Sequence, residues 1–70
     1  MTVTIRDEYI ELFKLLQMAD LAQSGGHAKI IVSEGLVMRN GEVETRKSAK
    51  IRPGETIQVE DVTIEVTAES

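Results

Sequence analysis

Apolar and polar residues alternate along "TVTI" (residues 2–5), the pattern of a short edge strand. The period then changes. In "RDEYIELFKLLQMADLA", Tyr9, Leu12, Phe13 and Leu16 fall at i, i+3, i+4 and i+7, which is one face of a helix. Asp7, Glu8 and Glu11 lie towards its amino end, where the helix dipole favours acids. The spacing predicts a helix over 7–18, with Met18, Ala19 and Leu21 carrying the apolar surface into the connection. A second helix is bracketed by Ser24, a good N-cap, and Gly35, a good residue just past a helix end. Between them "GGHAKIIVSE" places Ala28, Ile31 and Val32 on one face and displaces Gly25, Lys29 and Ser33 towards another. Two helices joined by a short loop form a helical hairpin.

After Gly35 the chain reads as strands. Asn40-Gly41 separates two β-prone runs, the strongest short-range hairpin signal, and a two-residue turn sets Arg39 opposite Glu42 and Met38 opposite Val43. Pro53-Gly54 suits a type II turn with glycine in the positive-φ position. Ile57 and Val59, then Val62, Ile64 and Val66, alternate strictly and predict two more strands joined near Glu60-Asp61. Residues 68–70 read as a frayed end. The expected fold is α+β: one small domain over 1–70, a helical hairpin packed against a short, mostly antiparallel sheet.

Composition narrows the chemistry. Seventy residues make one domain with a small core, since chains of this size bury only about 60% of their unfolded surface. No cysteine is present, which excludes disulfides and thiolate metal sites, and one histidine cannot assemble a histidine metal cluster. Neither a metal nor a cofactor is expected, and no catalytic residue: a second triad-type partner for Ser24 or Ser33 is missing, and "SGGHAK" lacks the ending of a phosphate-binding nucleotide loop. Only Tyr9 and Phe13 are aromatic, too few for a base-stacking platform. No long uncharged apolar run predicts a membrane span, and "MTVTIRDEYIE" is not a secretory signal. A reducing, cytoplasmic setting is expected.

Net charge is −4, which taken alone argues against nucleic acid. Its distribution argues the other way. Between Lys29 and Arg52 stand six bases and three acids; the rest of the chain holds two bases and nine acids. A basic face on an acidic body, or charges scattered over a solvated surface, both fit that count. Arg46, Lys47, Lys50 and Arg52 lie within "TRKSAKIRPG", four bases in seven residues with no acid among them. The segment interrupts the β-pattern and is expected to be exposed and close to the second helix. Gly25 and Gly26 stand where the first N–H groups of a helix have no internal partner and, with the dipole, form an anion site. Bare glycines would let a phosphate approach those amides, with Lys29 a turn further on; alternatively they are loop residues and the helix begins near His27.

The ordered set Leu15 or Leu16, Ala19, Ser24, Ala28, Lys29, Val32, Gly35, Val37, Asn40, Gly41, Lys50, Pro53, Gly54 and Glu55 resembles the ribosomal-protein S-four type RNA-binding domain, the αL motif, over roughly residues 8–66. "SGGHAK…EG…V…NG" looks like its small free-standing bacterial members. The resemblance implies RNA binding by the second helix and the adjoining β-loop, with binding roles for Ser24, Lys29, Arg46, Lys47 and Lys50. One departure is Gly25, where many members carry a basic residue, so that main-chain N–H groups would have to act instead. The expected site is thus Ser24, Gly25, Gly26, Lys29, Arg46, Lys47, Lys50 and Arg52. The expected partner is structured RNA, ribosomal or transfer RNA, with ribosomal or RNA-processing proteins alongside and no membrane. The alternative is a protein-interaction adaptor that pairs through an exposed sheet edge, at "TVTI" or the last strand.

Overall fold

In the computed structural model, which describes residues 1–69, the first helix starts five residues later than the periodicity predicts. Helix α1 spans Leu12–Met18, and Ile10–Glu11 ahead of it is an extended strand, β2. The reason lies in a pairing no local pattern announces. β2 runs antiparallel to β5 (Lys50–Ile51), with Ile10 opposite Ile51 and Glu11 opposite Lys50. Glu11, in extended conformation, becomes the N-cap without a side-chain cap bond. The buried face of α1 is therefore Leu12, Leu15, Leu16 and Ala19, while Tyr9 stands outside the helix and is exposed.

Helix α2 (Gly25–Ser33) begins at the first glycine, after β1 (Thr2–Ile5), β2 and α1. Ser24 is its N-cap, with Oγ accepting the His27 N–H at 3.1 Å, and His27 Nδ1 in turn accepts the Gln23 N–H at 3.1 Å. The arrangement resembles a capping box shifted by one residue, since His27 reaches back to the N–H of Gln23 rather than to that of Ser24. Gly35 ends the helix at φ +76°, its N–H donating to the Val32 carbonyl, as expected of a residue just past the last turn.

The remaining strands are β3 (Val37–Arg39), β4 (Glu42–Val43), β6 (Thr56–Val59) and β7 (Val62–Ala68), with β5 between β4 and β6 in sequence. The main sheet has the order β1-β7-β6-β3-β4, antiparallel except where β1 runs parallel to β7. The Asn40-Gly41 hairpin has the expected register, Met38 opposite Val43 and Arg39 opposite Glu42. Gly54 at φ +96° supplies the positive-φ residue of the Arg52–Glu55 turn, closed by the Glu55 N–H on the Arg52 carbonyl. Val3, Ile5, Ile57, Val59, Ile64 and Val66 turn one face of the sheet inwards, where Leu12, Leu15, Leu16, Ala28 and Val32 of the helices complete the core with Val37 and Ile51. The opposite face is polar and open.

Two further expectations change. The last strand is not an edge: β7 lies between β1 and β6, so the free edges of the main sheet are β1 and the two-residue β4. The carboxyl end is not frayed through Glu69, since Ala68 is in β7, the Glu69 N–H donates to the Ile5 carbonyl at 2.9 Å and its carboxylate pairs with Arg6 at 3.1 Å. Ser70 lies outside the described residues. None of the helices of the described residues is long and apolar enough to cross a membrane.

Ile51 is fully buried in the short β5 ladder that carries the basic segment. Ile51→Ala is expected to cost about 2–4 kcal/mol, as truncation of a buried isoleucine does, read from the midpoint of urea unfolding.

Candidate nucleic-acid interface

The first N–H groups of a helix need partners outside it. In α1, the Leu12 and Phe13 N–H groups donate to the carbonyls of Ala49 (2.9 Å) and Lys47 (3.1 Å). The segment expected to be an irregular loop is thus stitched to the amino end of α1 and continues into β5. Ala49 and Ile51 point inwards, and Lys47, Ser48, Lys50 and Arg52 stay at the surface.

Two aromatic rings organise the bases. Lys29 Nζ lies 4.9 Å and Lys14 Nζ 5.9 Å from the Phe13 ring centroid. A Cβ at Gly25 would sit 3.9 Å from the same ring. The start of α2, Lys29 and the backbone of Lys47 therefore converge on Phe13. A second group forms at Tyr9, with Lys50 Nζ 5.0 Å and Arg52 Cζ 6.0 Å from its ring centroid. Cations over ring faces at these distances are attracted by the ring quadrupole. The β2–β5 ladder joins the two groups.

Beside the second group lies a shallow depression of about 510 Å³ lined by Arg39, Arg46, Ser48, Ala49, Lys50 and Arg52. Arg39 is its floor. Its guanidinium binds Glu55 through Nε (2.7 Å) and Nη2 (3.0 Å), Glu44 through Nη1 (3.2 Å), and the Lys50 carbonyl through Nη2 (2.8 Å). Glu55 also accepts from Asn40 Nδ2 and the Arg52 N–H, while Asn40 Oδ1 accepts the Thr56 N–H. The Asn40-Gly41 and Pro53-Gly54 turns are thereby bonded to one another. Arg46 grips Glu44 with Nε (3.0 Å) and Nη2 (3.1 Å), yet its side chain remains largely exposed. The Arg46 hydrogen bond, opposed by burial and helped by Arg39, holds the Glu44 carboxyl down at about 2. Arg39 likewise lowers Glu55, and both guanidiniums are raised by their carboxylate partners.

Of the expected site residues, Ser24 is engaged as a cap, though its hydroxyl keeps a proton to donate. The Gly25 and Gly26 N–H groups have no partner among the described residues. Neither glycine has positive φ, and an added Cβ would meet only ordinary contacts. The fold does not require glycine at either position. Lys29, Lys47, Lys50 and Arg52 make no ion pair among the described residues, whereas Arg46 does. Tyr9 and Phe13, too few for a base-stacking platform, instead hold cations near their rings; nothing in the local sequence marks them so. Arg39, Glu44 and Glu55 escape sequence reasoning because Arg39 faces Glu42 in register but bonds residues 5 and 16 positions away. Asp7, Glu8 and Glu11 line a hollow beside Tyr9 together with Lys14, whose Nζ pairs with Glu11 at 3.3 Å. No three His, Cys, Asp or Glu side chains among the described residues are grouped to hold a metal ion.

A family model described as the S4 domain matches residues 3–67. The chain is 40% identical over 60 residues, 86% of each chain, to the "Putative RNA-binding protein YbcJ" of Escherichia coli (strain K12). It is 38% identical over 58 residues to the "Probable ribosome maturation protein RlbA" of Bacillus subtilis (strain 168), covering 83% of this chain and 82% of that one. The solution structure of YbcJ from E. coli, described as revealing an αL motif involved in RNA-binding, superimposes with a TM-score of 0.75 at 37% identity, covering 96% of this chain and 86% of that one.

Glu44 titrates at about 2 when folded, below its ordinary 4.5. A carboxyl lowered by folding stabilises fully above its unfolded value and loses that contribution as pH falls towards the folded one. Thermal melts are expected to drop between about pH 4.5 and 2, and Glu44→Gln is expected to flatten the decline across that window.

Proposed function

This chain belongs to the S4 domain family, and we propose that it is an RNA-binding module that holds structured RNA by its phosphates. The observation that carries the reading is the placing of Lys29, Lys50 and Arg52 over two rings, with Lys47 on the segment stitched to α1 and none of the four side chains in an ion pair among the described residues. The relatives named for RNA binding and ribosome maturation support the same reading. Duplex RNA hides its base edges in a deep, narrow groove, so proteins read its shape, phosphates and 2′-hydroxyls. A rigid array of cations suits that task. Lys29 and the Gly25 and Gly26 amides take a phosphate at the start of α2; Lys47 and Lys50 with Arg46 and Arg52 take the neighbouring stretch of backbone. Asp7 and Glu8, beside Tyr9, repel the strand there and fix its orientation. Ribosomal RNA is the favoured target, the cytoplasm the favoured location, and the role is binding rather than catalysis.

Filter binding of the whole chain to purified ribosomal RNA tests this. Each of Lys29→Glu, Lys47→Glu and Lys50→Glu is expected to weaken binding and to shrink the slope of log affinity against log salt by about one. Salt-insensitive binding, or variants equal to the wild type, would refute the reading.

The glycines give a separate prediction. Because alanine fits at both sites and suits helices better, Gly25→Ala with Gly26→Ala is expected to raise stability by up to about 1–2 kcal/mol while weakening RNA binding. Unaltered RNA affinity in that stabilised variant would remove the amides from the site.

A further inference from the structure

Helix α2 has a second exposed flank that the RNA reading leaves unused. His27, Ile30, Ile31 and Glu34 stand at i, i+3, i+4 and i+7, one stripe of the helix, and Lys29 lies roughly 150° away around the axis at about 100° per residue. The stripe forms a wall of a groove of about 440 Å³, closed on the other side by Leu36 and the β6–β7 turn. Ile30 is 58% exposed and Leu36 44%, while Leu21, Ile31 and Val62 make a half-buried apolar floor. Glu34, Glu60 and Asp61 rim the groove, and no lysine or arginine lines it.

Isolated exposed apolar residues are ordinary, but a grouped set with a charged rim marks a contact surface. The rim decides what fits. RNA phosphates are repelled by three carboxylates. A second copy docking the same patch against itself would set these carboxylates against their own counterparts, since a two-fold contact pairs identical surfaces. An acidic partner meets the same repulsion. We infer that this groove receives a cationic amphipathic helix of a partner protein, with leucine-like anchors seated between Ile30 and Leu36 and lysines or arginines placed against Glu34, Glu60 and Asp61. Such helix-in-groove recognition uses apolar anchors at i, i+3 or i+4 and i+7, and charge complementarity selects the partner. Lying on a different flank of α2 from Lys29, the groove stays open while RNA is bound, so one helix would join a basic protein to RNA.

The test uses the isotopically labelled whole chain and two synthetic amphipathic peptides of about four helical turns. They share one set of leucine positions and carry either lysines or glutamates on the polar face. The lysine peptide is expected to move the amide resonances of residues 30–36 and 59–62 and to bind about tenfold tighter than the glutamate peptide. Ile30→Ser is expected to weaken it several-fold while leaving binding to ribosomal RNA and its salt slope unchanged, and Glu34→Lys with Asp61→Lys is expected to weaken it several-fold by removing the acidic rim. Ile30 is largely exposed, so its replacement does not threaten the fold. The proposal is overturned by an absence of shifts with either peptide, by equal binding of both, by shifts centred on Lys29 and Lys47, or by sedimentation showing a second copy in the groove.

Discussion

A helix cannot leave its first N–H groups unpaired without penalty, and α1 has no side chain to cap them. The carbonyls of Lys47 and Ala49 fill that need. Much of the rest follows from this demand. The stitched segment cannot wander, so Ile51 drops into the core, Lys50 faces Tyr9 across the short ladder, and the Lys47 backbone lies beside Phe13. Four bases in seven residues repel one another, and a free loop would relax that repulsion by spreading apart. Held by main-chain bonds, the segment keeps its cations together.

Arg39 reinforces the arrangement by a different route. Its guanidinium is half-sheltered and shared between two carboxylates and a carbonyl, so its charge is neutralised within the fold rather than offered to a ligand. Partial burial of such a group is tolerable because every donor that turns inwards finds an oxygen. The bases of this chain thus divide by environment. Arg39 organises the frame, Arg46 both braces Glu44 and reaches outwards, and the side chains of Lys29, Lys47, Lys50 and Arg52 make no ion pair among the described residues.

The elements legible in the sequence are those fixed by contacts of short range. Ser24 and Gly35 bracket α2 because caps act within one turn, and Asn40-Gly41 sets its hairpin because a two-residue turn leaves no choice of register. What escaped has its cause at a distance. The Tyr9, Leu12, Phe13, Leu16 spacing is genuine helical periodicity, but pairing with residues 50–51 holds Ile10 and Glu11 extended and overrules it. The last strand reads as an edge until β1 is seen to pair with it from the other end of the chain. For the site, the residue types were legible and the grouping was not, since two rings and one carboxylate hub decide which bases meet.

The parallel β1–β7 pair joins Thr2–Ile5 to Glu65–Ala68, about as far apart in sequence as two strands of this chain can lie. Closing so long a loop is entropically unfavourable until the intervening parts are in place, and non-local pairings slow folding. The two helices, the basic segment and the β3–β6 pairing lie within residues 12–59, and Ile64 and Val66 of β7 complete the core they share. The pairing of the two ends of the chain is therefore expected to form late, after the shorter-range pairings that carry the cationic face.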